Sequence, residues 1–143
     1  MKKIVSILLV LVMFVATSAS VLAEITDESQ LMATDGENLR DIALAEVGVS
    51  GRPNKYTKWF GSIEGYSYDW CHAFVSWCAN QAGILGTKVP RTAGCPYGMS
   101  WFANNGRLKY RDSGYVPKTG DIIYFDYEPN GVPNHVGIVN YSD

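Results

Sequence analysis

The segment that decides the fold runs from Tyr66 to Gly83 and reads YSYDWCHAFVSWCANQAG. Its apolar residues recur at the spacing of one face of an α-helix. The residues that share this face are Cys71, Phe74, Val75, Cys78, Ala79 and Ala82. Asp69 is a plausible N-cap, and the glycine at the far end is a typical helix stop. We therefore predict a helix that begins near Cys71 and buries Cys78.

Cys71 lies in the first turn of this predicted helix, where free backbone N–H groups and the helix dipole favour a thiolate. An ordinary thiol has a pKa near 8.5 and is only about 3% ionised at pH 7, so a nucleophilic cysteine needs such help. An ionised Asp69 would oppose the shift, so a cationic partner is also required. The alternative that Cys71 and Cys78 are both core thiols stays open.

Two histidines could supply that cation, and the one next in sequence is the poorer candidate. His72 follows Cys71 directly, but consecutive helical side chains point about 100° apart and do not face each other. We expect His72 to lie with Ser76 and Asn80 on another face. His135 opens a predicted strand after a loop rich in Gly and Pro, so its side chain could reach the helix end. The alternative is a surface histidine at a strand end.

The cysteine count is three, which leaves at least one thiol unpaired in a secreted protein. A disulfide between Cys78 and Cys95 remains possible and is a question of geometry. No Cys-x-x-Cys pair occurs, and the spacing of Cys71, His72, Cys78 and Cys95 does not fit a structural zinc site. We predict no metal and no cofactor.

The rest of the chain places helices before strands. Thr34 and Glu37 are spaced as a capping box before a helix that Gly48 would close, and another helix is expected near Pro96. The segment 48–68 is interpreted as a long loop. Apolar, β-prone segments at 122–127 and 135–141 predict two strands joined by a turn-rich loop. This order predicts an α+β fold with an antiparallel sheet.

The first 23 residues have the pattern of a secretory signal peptide. A basic start, a short apolar run and small residues at Val21 and Ala23 predict cleavage after Ala23. We assign 24–34 to a short leader and 35–143 to one domain, in a protein that is secreted or associated with the cell wall. The net charge of −2 and the absence of a basic run argue against nucleic acid as a partner, and no membrane contact is expected after cleavage.

Three motifs together resemble the CHAP family, the cysteine, histidine-dependent amidohydrolases and peptidases. They are YDWCHAFVSWCANQAGI, PKTGDIIYFDY and NHVGIV, and the likeness extends from about Leu39 to the end of the chain. The resemblance implies a papain-like α+β fold with N-terminal helices on a small antiparallel sheet. It implies cleavage of peptidoglycan, by an N-acetylmuramoyl-L-alanine amidase or an endopeptidase. Cys71 would be the nucleophile and His135 the general base, with His72 at a non-catalytic position.

The surroundings of Cys71 carry two further expectations. Tyr68 and Trp70 precede the helix start, and we predict that they contact the substrate near the oxyanion. Some CHAP domains bind calcium through an Asp-rich loop before the cysteine. Here that loop offers only Glu64 and Asp69, too few carboxylates for a dedicated site.

The sequence departs from the family at its C-terminal end. In the family, an Asn, Asp or Glu on the strand after the histidine strand orients the imidazole. The sequence ends at Asp143, before such a strand, so we expect a C-terminally truncated domain. Asn140 and Asp126 do not match the family position and are interpreted as surface residues. A catalytically impaired relative that acts as a wall-binding module is therefore the alternative to an active hydrolase.

Overall fold

The computed structural model describes residues 34–141, without the side chain of Glu64. The predicted signal peptide at 1–23, leader residues 24–33 and the last two residues lie outside the described part. All elements below belong to the unit Thr34–Asp143.

Four helices precede a two-stranded sheet. The helices are α1 (Asp35–Leu44), α2 (Lys55–Phe60), α3 (Cys71–Gln81) and α4 (Cys95–Asn104), with short 3-10 turns at Glu64–Tyr66 and Arg111–Ser113. Strands β1 (Ile122–Phe125) and β2 (His135–Ile138) pair antiparallel, with Phe125 opposite His135. The predicted α+β class is therefore confirmed, and both strands are shorter than the sequence pattern indicated.

Helix α1 begins with the predicted capping box. The hydroxyl of Thr34 accepts from the Glu37 N–H, and the Glu37 carboxylate accepts from the Thr34 N–H. The helix ends at Leu44, before the expected stop at Gly48. Its first turn lies against the turn before β1, since a Cβ on Gly36 would come within 2.5 Å of the Thr119 carbonyl oxygen. This backbone contact ties the N-terminal helix to the sheet.

Helix α3 is the centre of the domain, because α1, α2 and β2 all pack against it. The core cluster around it is made of Leu39, Val75, Cys78, Ala79, Ile84, Val89, Cys95 and Val136. Cys78 is fully buried, as predicted. His72 and Ser76, which we expected on a second face of the helix, are both fully buried, whereas Asn80 is exposed. Helix α3 is covered on more than one side because α4 and the preceding loop close over this second face.

Helix α2 lies inside the segment that was interpreted as a loop. Its N-cap Asn54 accepts hydrogen bonds from the backbone N–H groups of Tyr56 and Thr57. Tyr56 is fully buried, stacks on Trp70 at 5.3 Å and meets Phe74 edge-on at 4.9 Å. This aromatic packing holds the chain just before α3, and so fixes where that helix begins.

The loop between α3 and α4 is held by hydrogen bonds to Ser76 in α3. The Ser76 hydroxyl donates to the Thr92 carbonyl at 2.8 Å and accepts from the Thr92 N–H at 3.0 Å. A buried hydroxyl needs such partners, because an unmade hydrogen bond in the core costs about 1–3 kcal/mol. The anchor sets the position of the next helix, whose first residue is Cys95.

Candidate active site

The geometry of α3 and β2 brings Cys71 and His135 together. Cys71 is the first residue of α3, and His135 is the first residue of β2, which packs across that helix. The His135 side chain lies close enough to the Cys71 sulfur for its hydrogen-bonding and its charge to lower the pKa of that thiol. The two residues that the sequence predicts as nucleophile and base therefore lie in contact.

The pKa of Cys71 is lowered to about 6. The largest cause is a hydrogen bond from the Cys95 thiol, and partial burial opposes it. The hydrogen bond and charge of His135 and the backbone N–H of His72 lower the pKa further. With a pKa about one unit below neutral, roughly 90% of this thiol is ionised at pH 7, against about 3% of an ordinary one.

Cys95 is the residue of this site that sequence reasoning missed. Its sulfur lies 3.5 Å from that of Cys71, and all three cysteines are free, so the Cys78–Cys95 disulfide does not form. Cys95 is buried, and the pKa of its thiol is raised, first by the hydrogen bond with Cys71 and then by burial. In this pair Cys71 carries the negative charge and Cys95 keeps its proton.

Cys95 also corrects one premise about helix starts. The sequence analysis placed only Cys71 at a helix start, but Cys95 is the first residue of α4. Pro96 in the first turn of α4 was the available signal, because proline is favoured at that position. The residue before it could have been considered as a second thiol at a helix start.

His72 is engaged elsewhere, as the adjacency argument predicts. Its Nε2 lies 2.8 Å from the Tyr124 hydroxyl, and the two rings pack with centroids 5.7 Å apart. The imidazole is fully buried, and burial lowers its pKa, so the neutral form is favoured. His72 therefore approaches Cys71 with its backbone N–H, and its ring serves the packing between α3 and β1.

His135 is held by aromatic rings. Its ring lies 5.9 Å from Phe125 and 6.1 Å from Tyr127, and those two rings stack on each other at 5.6 Å. We call Phe125, Tyr127 and His135 the aromatic stack. Within residues 34–141, Cys71 is the residue whose side chain has a polar interaction with the His135 ring.

Neither polar residue considered as a substitute for the family's third residue is hydrogen-bonded to His135 in the described part of the chain. The Asp126 carboxylate accepts from the Gly131 N–H at 2.6 Å and so closes the loop between the strands. Asn140 is exposed beyond the end of β2. The orientation of the imidazole in the described residues thus comes from packing in the aromatic stack.

The start of α3 differs from the prediction at its cap. The N-cap is Trp70, with no capping side chain, and Asp69 instead forms an ion pair with Arg52. The Arg52 guanidinium therefore faces the carboxylate that we expected to oppose a thiolate at Cys71. The uncapped first-turn N–H groups are left available to an anion at the helix start.

The two residues predicted to contact substrate take part in packing. The Tyr68 hydroxyl donates to the carbonyls of Thr57 and Gly61 at 3.2 and 3.3 Å. Trp70 is half-buried and stacks on Tyr56. Both flank the start of α3, and their contact with substrate stays a prediction.

Within 34–141, no group of three or more His, Cys, Asp or Glu is arranged to hold a metal ion. No helix in that part of the chain is long and apolar enough to cross a membrane.

Comparison with known proteins identifies a family for this chain. No curated protein and no solved structure matches the chain. The CHAP domain family matches residues 63–143, which is more than half of the chain and contains both Cys71 and His135. The family expected from the cysteine and histidine motifs is thus the family found, and this chain belongs to the CHAP domain family.

Proposed function

We propose that this chain is a secreted cysteine hydrolase that cleaves amide or peptide bonds of bacterial peptidoglycan. CHAP domains are in general hydrolases of this type. The observation that carries the proposal is the Cys71 sulfur, which lies at a helix start, contacts His135 and has a pKa of about 6. A wall-binding module without catalytic activity would not need a thiol with this pKa.

The proposed first step is attack of the Cys71 thiolate on the carbonyl carbon of the substrate. Negative charge then develops on the carbonyl oxygen, and the first-turn N–H groups of α3 are donors suited to stabilise it. His135 gives its proton to the leaving amine, because the imidazolium is the cation beside the thiolate. The product of this step is a thioester on Cys71 and a free amine.

The second step is hydrolysis of the thioester. His135, now neutral, takes a proton from water as the water attacks the thioester carbonyl. The acid product leaves, and Cys71 returns as the thiolate beside a protonated imidazole. A general acid–base residue typically contributes about a hundredfold or more to the rate, so His135→Ala should reduce hydrolysis by at least about a hundredfold.

The test is loss of turbidity of purified cell walls with the full-length protein. Cys71→Ser should abolish clearing and His135→Ala should reduce it by at least about a hundredfold. Cys78→Ala is the matched control, because it removes a buried sulfur away from the dyad and should retain clearing.

A pelleting assay with the same walls separates the two functional hypotheses. A hydrolase clears the walls and releases new amino groups, whereas a wall-binding module pellets with them and releases none. Labelling the new amino groups and identifying the residue that carries them distinguishes an amidase from an endopeptidase. Wall binding without release of amino groups by the wild-type protein would contradict the proposed function.

A further inference from the structure

The two sulfur atoms at the starts of α3 and α4 differ in every property that governs oxidation. Cys71 is partly exposed and carries the charge, whereas Cys95 is buried and protonated. They lie 3.5 Å apart, so a movement of about 1.5 Å would bring them to disulfide bonding distance. The hydrolytic mechanism uses Cys95 only as a hydrogen-bond donor, and leaves its capacity as a second thiol unexplained.

We propose that hydroperoxides convert Cys71 and Cys95 reversibly into a disulfide, with Cys95 as the resolving thiol. The inference goes beyond peptidoglycan hydrolysis, because it needs only the two thiols and an oxidant. The site is therefore a modification site, and its oxidised form has no free nucleophile.

The first step oxidises Cys71. Its thiolate attacks the terminal oxygen of the hydroperoxide, the O–O bond breaks, and the sulfur becomes a sulfenic acid. The hydroperoxide is reduced, and its remaining oxygen leaves as an alkoxide or hydroxide that takes a proton to give an alcohol or water. The accessible, ionised thiol is the one that reacts, because susceptibility follows thiolate character and exposure.

The second step forms the disulfide. Once Cys71 is a neutral sulfenic acid, the hydrogen bond to its thiolate, which is the largest cause of the raised pKa of Cys95, is lost together with the smaller effect of its charge. The Cys95 sulfur attacks the Cys71 sulfur, the S–O bond breaks, and the hydroxyl group leaves with the thiol proton as water. Two equivalents of an external thiol reverse the reaction by reducing the disulfide and restoring both thiols.

The third cysteine is an internal control. Cys78 lies in the same helix as Cys71, but it is fully buried and burial raises its pKa to about 12. It should neither react with peroxide in the folded protein nor exchange into the disulfide. A disulfide that contains Cys78 in the folded protein would contradict the proposed pairing.

The experiment treats full-length protein with hydrogen peroxide, blocks free thiols by alkylation after unfolding, and maps the products by mass spectrometry. We expect linked peptides containing Cys71 and Cys95, a mass lower by two hydrogen atoms, and full alkylation at Cys78. Dithiothreitol should restore both thiols. In Cys95→Ser the serine hydroxyl can still donate a hydrogen bond but cannot form a disulfide. Cys71 should therefore proceed to sulfinic or sulfonic acid, and dithiothreitol should restore at least about tenfold less Cys71 thiol than in the wild type.

Each outcome decides the proposal. Equal over-oxidation of Cys71 in the wild type and in Cys95→Ser, or a linked peptide containing Cys78, would overturn it. If Cys95→Ser does not fold, the linkage map of the wild-type protein alone still decides the proposal. Wall clearing is measured separately from disulfide formation. A protein that forms the disulfide but does not clear walls would contradict the proposed hydrolase function and still support the proposed oxidation of Cys71 and Cys95.

Discussion

Gly98 offers the sharpest test of how the site is built. It lies in α4 where the helix passes the buried pair of His72 and Tyr124. A Cβ at this position would lie 2.0 Å from His72 Nε2 and 2.4 Å from the Tyr124 hydroxyl oxygen. Neither atom can move out of the way cheaply, because His72 is fully buried and the two atoms are hydrogen-bonded at 2.8 Å.

Opposing effects determine whether Gly98→Ala raises or lowers the free energy of unfolding. Alanine is the better helix former by about 1 kcal/mol, which would stabilise the protein. Overpacking of a core typically costs about 1–3 kcal/mol. Separation of His72 from Tyr124 leaves buried polar groups unpaired, at a further cost of about 1–3 kcal/mol. We therefore expect the free energy of unfolding to fall by about 1–5 kcal/mol.

Urea unfolding of the full-length protein, followed by tryptophan fluorescence, measures this change. Gly137→Ala in β2 is the matched control, because its new methyl group would meet the nearest atoms at an ordinary 3.7 Å. The control should change the free energy of unfolding by no more than about 0.5 kcal/mol. A Gly98→Ala protein as stable as the wild type would refute the close packing of α4 on the His72–Tyr124 pair.

Two further predictions concern the thiol and its base. The rate of iodoacetamide labelling of Cys71 should rise through pH 6 and level off above it, because the pKa of this thiol is about 6. Cys78 should stay unlabelled until the protein unfolds. A midpoint of Cys71 labelling near pH 8.5 would contradict the lowered pKa. Tyr127→Ala should reduce wall clearing, because it removes a ring from the aromatic stack around His135, whereas the equally exposed Tyr141→Ala should not.

Local sequence signals predicted the elements that carry the dyad. The apolar spacing from Cys71 to Ala82 gave α3, and a β-prone segment after a turn gave the strand that opens with His135. Both signals depend on residues near each other in the chain, so they can be recognised without knowledge of the tertiary fold. The His72 ring is hydrogen-bonded to Tyr124, which agrees with the expectation that its side chain does not face Cys71.

The features that the sequence did not predict depend on contacts between distant segments. Cys95 lies beside Cys71 because Ser76 holds the Thr92 backbone and so positions α4. His72 is buried because Gly98 allows α4 to approach it closely, which no pattern within α3 reveals. These contacts form only when the whole domain has folded.

Helix α2 was missed for a different reason. It is short and follows a segment rich in Gly and Pro, which favours the interpretation of a loop. The signal that could have found it is the reciprocal cap, in which Asn54 accepts from the Thr57 N–H and the Thr57 hydroxyl accepts from the Asn54 N–H. The pair has the spacing of a capping box with unusual residue types.

The position of His135 on the hairpin of β1 and β2 makes thiol chemistry a reporter of local opening. A two-stranded hairpin is marginally stable on its own, and this one is supported by packing of β2 on α3. If the hairpin detaches, Cys71 loses the imidazole but keeps Cys95, so its nucleophilicity should decline in steps. Labelling at pH 6 across a urea series should therefore detect opening of the hairpin before circular dichroism detects loss of the helices.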